Sequence, residues 1–195
     1  MGKIFYLFGK SASGKDSLYE RLISDTELNL CPVVLYTTRP MREGEKDGIN
    51  YHFTNEKKLK QFEAEGRIIE HRIYQTVYGP WHYFLADDGR IDLERFHYLA
   101  IGTLESYCSV RDYYGSDKVV PLYVYVEDGE RLIRSIERER HQAVPGYEEI
   151  CRRFLADSVD FSRDKLDSLK LKKRFENVDF DICLTNLRKE ILKSI

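Results

Sequence analysis

The sequence lacks any apolar run approaching the roughly 20 residues that a membrane-spanning helix needs. It also lacks internal repeats and low-complexity segments. Its first apolar stretch, Ile4 to Phe8, stops at Gly9 and is too short for a signal-peptide core. The opening Met1-Gly2 does not read as an acylation signal, because Tyr6 stands where Ser or Thr is required. Cys31, Cys108, Cys151 and Cys183 are scattered and form no CxxC pair, which argues against a zinc or dithiol site and for reduced thiols in the cytoplasm. His52, His71, His82, His97 and His141 show no ligand spacing. An excess of one charge is missing too. Thirty-one Lys and Arg face 33 Asp and Glu, leaving a net charge of −2, so neither nucleic acid nor a membrane surface is expected as a partner. Trp81 is the one tryptophan, and with the many tyrosines it reads as packing rather than as a stacking platform.

What remains is a globular chain of 195 residues, 42% hydrophobic, enough for one domain with a real core and a small inserted lid. Ile4 to Phe8 reads as a buried strand, and Leu18, Leu22 and Ile23 follow at helical spacing. Val33 to Tyr36 reads as a second strand, and residues 39–50 as an ordered polar loop. Asn55 is placed to cap a helix that starts at Glu56 and ends before Gly66. Further strands are predicted over Arg67 to Ile73, Tyr98 to Ile101 and Val119 to Val126. A charged helix follows over Asp128 to Arg140, with Leu132, Ile133 and Ile136 as its apolar stripe, and another helix starts near Tyr147. The basic run over 163–175 reads as a solvated helix face. Phe180 to Leu184 reads as a last strand, with Leu187, Ile191 and Leu192 marking a closing helix. Strands alternating with helices imply a mostly parallel sheet covered on both faces.

Between the first strand and the first helix stands Gly9-Lys10-Ser11-Ala12-Ser13-Gly14-Lys15-Asp16-Ser17. This is the G-x-x-x-x-G-K phosphate loop in the strand-to-helix setting that the motif requires. Glycines let backbone N–H groups turn inward, the helix N-terminus adds a positive dipole, and Lys15 reaches the β- and γ-phosphates of a nucleotide as a mobile charge. The usual hydroxyl after the lysine is replaced by Asp16. Its carboxylate has two readings: a Mg²⁺ ligand, or an acidic first-turn residue that favours the helix dipole. Ser17 supplies an alternative hydroxyl for the metal.

Together with "TTRPMREGEKDGINYHF" over residues 37–53, this loop resembles the guanylate kinase family, whose pattern reads TTRPxRxGExDGxxYxF here. The resemblance spans nearly the whole chain, strongest over residues 4–79 and weak after about residue 85. It implies a P-loop three-layer α/β sandwich with a mostly parallel five-stranded core sheet, a small nucleoside-monophosphate-binding subdomain and a helical lid. Residues 1–195 would form one such domain, with its core at about 1–36, 95–130 and 155–195, the acceptor subdomain at 37–90 and the lid at 134–153. Arg39, Arg42, Tyr51 and Tyr78 match the residues that grip the acceptor's phosphate, and their donors suit that task. "GRIIEHRIYQTVYG" places Glu70 where the family's glutamate accepts from the guanine N–H groups. Arg138 and Arg153 are the foremost candidates for the lid arginines that neutralise the transferring phosphoryl group; Arg134 and Arg140 read equally well as surface charge. Asn186 resembles an asparagine near the adenine.

The pattern also breaks. Leu35 replaces a small hydroxyl residue, and Pro80 stands where Ser or Thr follows Tyr-Gly. Ala100 and Gly102 stand where the family carries an aspartate pair. The expected activity is therefore transfer of the γ-phosphoryl of MgATP to a nucleoside monophosphate, GMP first, by a cytoplasmic monomer or homodimer acting on small nucleotides. The eroded base-reading positions keep two alternatives open: a kinase for a different acceptor nucleotide or small phosphate ester, and a non-catalytic guanylate-kinase-like domain that binds nucleotide or protein.

Overall fold

A computed structural model describes the chain except Val77 and Lys172, so those two members of the segments discussed above lie outside the described residues. The elements run β1 (Ile4–Phe8), α1 (Lys15–Ile23), β2 (Leu30–Pro32), β3 (Tyr36–Thr37), β4 (His52–Phe53), α2 (Glu56–Ala64), β5 (Ile68–Thr76) and β6 (Gly79–Ala86). They continue with β7 (His97–Gly102), α3 (Leu104–Tyr114), β8 (Val119–Tyr125), α4 (Asp128–Arg140), α5 (Tyr147–Asp160), α6 (Arg163–Ser168), β9 (Phe175–Glu176) and α7 (Phe180–Ser194).

β1 is apolar at every position because both of its faces are covered. Tyr6 and Phe8 join Tyr107, Val110 and Phe161 on one side, whereas Phe5 and Leu7 join Leu18, Leu22, Leu187 and Ile191 on the other. This makes a three-layer α/β sandwich. Its central sheet has five strands in the order β2-β7-β1-β8-β9, all parallel. A second sheet, ordered β4-β3-β6-β5, packs Tyr36 and Phe84 against Leu59 and Phe62 of α2. Asn55 caps α2 as expected, accepting from the Lys58 N–H.

Three expectations are corrected. Val33 to Tyr36 is not one strand. Val33 still donates to Leu99 beside the central sheet, while Leu35 accepts from His52 in the second, so the chain changes sheets within the segment. Phe180 to Leu184 is the start of α7. Asp179 caps it by accepting from the Ile182 N–H, and Cys183, Leu187 and Ile191 form a buried stripe at a spacing of four while Ile182 is exposed. The last strand is β9, upstream. The stripe expected on α4 also fails, since Ile133 and Ile136 are exposed and the buried face carries Arg131 and Ser135.

Candidate active site

The loop between β1 and α1 is built by close approach. A Cβ on Gly9 would lie 2.5 Å from the Val124 carbonyl oxygen, and one on Gly14, whose φ is 80°, would lie 2.4 Å from Asn177 Nδ2. Only glycine fits the second position on both counts. Asn177 is buried and donates to the Ser13 carbonyl at 2.8 Å, tying the end of β9 to the loop. Ser13 Oγ is buried and has no hydrogen-bond partner among the described residues, an orphan group inside the loop.

The rim of the loop is held by charges that sequence reasoning missed. Arg131 is wholly buried on α4. Its Nη1 donates to the Ser11 carbonyl at 2.8 Å and to Asp157 Oδ2 at 3.1 Å, and its Nη2 donates to Asp128 Oδ1 at 2.7 Å. Lys10 Nζ donates to the same Asp128 carboxylate at 2.9 Å. Burial opposes ionisation of Asp128, but the bonds from Arg131 and Lys10 outweigh it and hold the carboxyl below its usual range. Asp157, from α5, accepts the Ser11 N–H at 2.8 Å. The signal available in the sequence was the Asp128-x-x-Arg131 spacing, one helical turn apart.

A cleft of about 470 Å³ opens beside the loop, and Lys15, Asp16, Leu35, Tyr51, Arg72 and Gly102 are among its walls. It joins the loop lysine and the second sheet's residues in one cavity. Lys15 Nζ lies 3.4 Å from Asp16 Oδ2, and the Asp16 side chain is largely exposed. Ser17 is exposed and is not among the cleft residues.

The four residues expected to clamp a phosphate do not converge. Tyr51 lines the cleft, with its ring edge against Tyr83. Arg39 is buried behind it, donating to both oxygens of Glu45 at 3.0 and 2.7 Å and to the Tyr83 hydroxyl at 3.2 Å, with its guanidinium 5.4 Å from the Tyr51 ring. Arg42 is exposed. Tyr78 is 85% exposed at the tip of the β5–β6 hairpin, stacked on Trp81. Glu70 is buried on β5 and accepts from Arg72 and from the Ser106 hydroxyl.

Arg138 and Arg153 do come together. Both line a cavity of about 160 Å³ between α4 and α5, next to Ser11. Arg153 and Arg152 share Glu149, whose carboxyl their hydrogen bonds lower to about 2, the Arg152 bond contributing most. Arg134 pairs with Glu130 and Arg140 is exposed, as surface charges are. Asn186 is corrected: it follows no strand and lies exposed within α7, because the segment before it is helix. Asn177 is the asparagine beside the loop.

Residues 1–82 match the family model described as guanylate kinase. The guanylate kinase of Schizosaccharomyces pombe is 39% identical over 74 residues, 37% of this chain and 37% of that one. That of Alcanivorax borkumensis is 37% identical over 79 residues, 40% of this chain and 38% of its own length. The match thus spans under two-fifths of these curated relatives. A crystal structure of guanylate kinase from Anaplasma phagocytophilum superposes with a TM-score of 0.61 at 19% identity, covering 98% of this chain and 85% of that one. The sequence similarity lies in the N-terminal stretch, and the similarity of fold covers 98% of this chain.

Proposed function

From a chain whose first 82 residues are of the guanylate kinase family, we propose an ATP-dependent phosphotransferase that moves the γ-phosphoryl of ATP to a nucleoside monophosphate, with GMP the reference acceptor. The observation that carries this reading is the shared cleft: Lys15, at the donor-phosphate loop, and Tyr51, from the acceptor-side motif, face one cavity.

Lys15 and the loop N–H groups would hold the β- and γ-phosphates, and Ser13 Oγ offers a further, unused polar atom there. Asp16, on the cleft wall, would touch a Mg²⁺ ion arriving with the nucleotide, with Ser17 the alternative; such an ion needs only one or two protein ligands and would supply charge neutralisation of the phosphate oxygens. Tyr51 would orient the acceptor. Arg138 and Arg153, across from Ser11, would stabilise the charge that spreads over the transferring group. In the structure Arg153 is tied to Glu149 and Arg39 to Glu45, so both need to exchange partners before they contact phosphate.

The test is ADP release from MgATP in the presence of GMP, dGMP, AMP, CMP or UMP, with Lys15→Ala as the blank. Turnover with one of these, lost by at least about a hundredfold in Lys15→Ala, is the expected result. A second reading, a domain that binds nucleotide without transferring phosphoryl, is favoured by Asp157 and Asp128, which already occupy the Ser11 N–H and the Lys10 ammonium. Nucleotide bound with no ADP release above the blank would select it.

A further inference from the structure

His71 and His82 meet across the β5–β6 ladder. His71 Nε2 lies 2.8 Å from His82 Nδ1, with the ring planes 26° apart and the centroids 5.0 Å apart. His71 is registered against Phe84 and His82 against Ile73, so the contact is a diagonal one between strands. A neutral imidazole has one N–H and one acceptor nitrogen. At 2.8 Å, one of the facing nitrogens donates and the other accepts.

The pair can therefore carry one extra proton, but not two. A single charged ring still donates to its neutral neighbour. Two charged rings would set N–H against N–H and add like-charge repulsion to the lost bond. Burial, and secondarily the charge of His82, hold the His71 imidazole below its ordinary value. The carboxylates nearby act the other way and are outweighed. Glu63 Oε1, from α2, lies 3.8 Å from His71 Nδ1, and Glu70, the preceding residue of β5, is already held by Arg72 and Ser106. From β6, Phe84 presents its ring edge-on to His71. The cavity that His71 lines also holds Arg72, Lys165, Glu105 and Asp160, two charges of each sign.

The same histidine joins β6 to β3. The His82 N–H donates to Thr38 Oγ1 at 3.0 Å. Its carbonyl accepts the Thr38 N–H at 3.0 Å and the Thr37 hydroxyl at 2.9 Å. Thr37 Oγ1 in turn accepts the Arg39 N–H at 3.1 Å, and the Arg39 side chain donates to Tyr83, the residue after His82. Displacing His82 thus disturbs the backbone that carries Arg39.

We infer that His71 and His82 form a proton-sensitive latch, which ties β5, β6 and β3 together near neutral pH and loosens the second sheet around residues 37–39 when both rings take a proton. The latch stands on the geometry of the pair; its effect on an acceptor rests on the proposed reaction. Its sign follows from proton counting. In the unfolded chain both imidazoles take protons near pH 6.5. The folded pair takes one and refuses the second, so the folded protein binds fewer protons and loses stability as pH falls below about 6.5.

NMR titration of the histidine ring protons in the full chain is the first test. His71 and His82 should titrate in two steps more than about one pH unit apart. In His82→Gln the remaining His71 should titrate in one step, because the amide can turn its oxygen toward a charged ring. Between about pH 6.5 and pH 5.5 the unmodified protein should lose about 2–4 °C more in melting temperature than His71→Gln or His82→Gln does. Two histidines that titrate together near pH 6.5, or an equal fall in melting temperature in both variants, overturns the latch. Should a variant fail to fold, the titration of the unmodified protein decides alone. Calorimetry with GMP reads the consequence: acidification should weaken GMP more in the unmodified protein than in His82→Gln. The variant is the reference because the phosphate of GMP takes a proton in the same range. A two-step titration with no such difference keeps the latch and removes the second sheet from the acceptor site.

Discussion

Asp157 places a carboxylate on the Ser11 amide, one of the groups that a phosphate loop offers to its ligand. The contact satisfies a loop donor while no phosphate is bound, and Arg131 shares the charge from the other side. A nucleotide phosphate arriving at this loop meets a negative group that must move or be outcompeted. Two like charges 4 Å apart repel by about 1 kcal/mol even in water. Asp157→Asn keeps an oxygen for the Ser11 amide and for Arg131 while removing the charge. It should tighten MgATP about fivefold, read by calorimetry without an acceptor. Weaker binding in the variant would show that the carboxylate instead holds the loop open for nucleotide. The phosphate loop itself was legible because its letters fix its geometry: Gly9 and Gly14 are dictated by contacts of 2.5 and 2.4 Å. Asp157 was not, since it lies 146 residues along the chain and only the packing of α5 brings it there.

Helices were legible where one periodicity was present and misread where two overlapped. "FDICL" alternates apolar and polar as a strand does, yet it also opens the Cys183, Leu187, Ile191 stripe, and the Asp179 cap decides for helix. On α4 the apolar letters misled in the other direction. The helix buries Arg131 because Asp128 and Asp157 neutralise it, and the isoleucines turn outward as a consequence. β5 was read over Arg67 to Ile73, but β6 escaped because Gly79 and Pro80 open it, and they sit at the turn end where a missing ladder donor is tolerated. α5 carries its own pH dependence. Hydrogen bonds from Arg152 and Arg153 depress Glu149 to about 2, so the contribution is present above the ordinary glutamate value near 4.5 and is lost as pH falls toward 2. Glu149 is half-exposed, so the effect stays below about 1 kcal/mol. Glu149→Gln should melt slightly below the unmodified protein at pH 7, and the gap should close between pH 4.5 and pH 2. A gap that stays constant down to pH 2 would assign the difference to something other than this carboxylate.

Across the whole molecule, the match of Tyr78 to an acceptor-phosphate ligand predicts a movement of the β5–β6 hairpin toward the central sheet. Tyr78, matched by resemblance to an acceptor-phosphate ligand, is 85% exposed at the hairpin tip, outside the cleft that Lys15 and Tyr51 share. For Tyr78 to touch an acceptor, the hairpin must swing inward, which would also exclude water from the transferring phosphoryl group. The chain's one tryptophan is placed to report it: Trp81 stacks on Tyr78 with ring centroids 6.4 Å apart and planes 8° from parallel. Burying the tip changes the solvent around that indole and its distance from the tyrosine. The emission of Trp81 should therefore shift when a non-hydrolysable ATP analogue and the preferred monophosphate are added together, and shift less with either alone. Trp81→Phe should lose the signal while keeping the rate of ADP release. If the pair that turns over fastest leaves Trp81 emission unchanged, the hairpin stays where the structure has it. Tyr51 would then orient the acceptor without Tyr78.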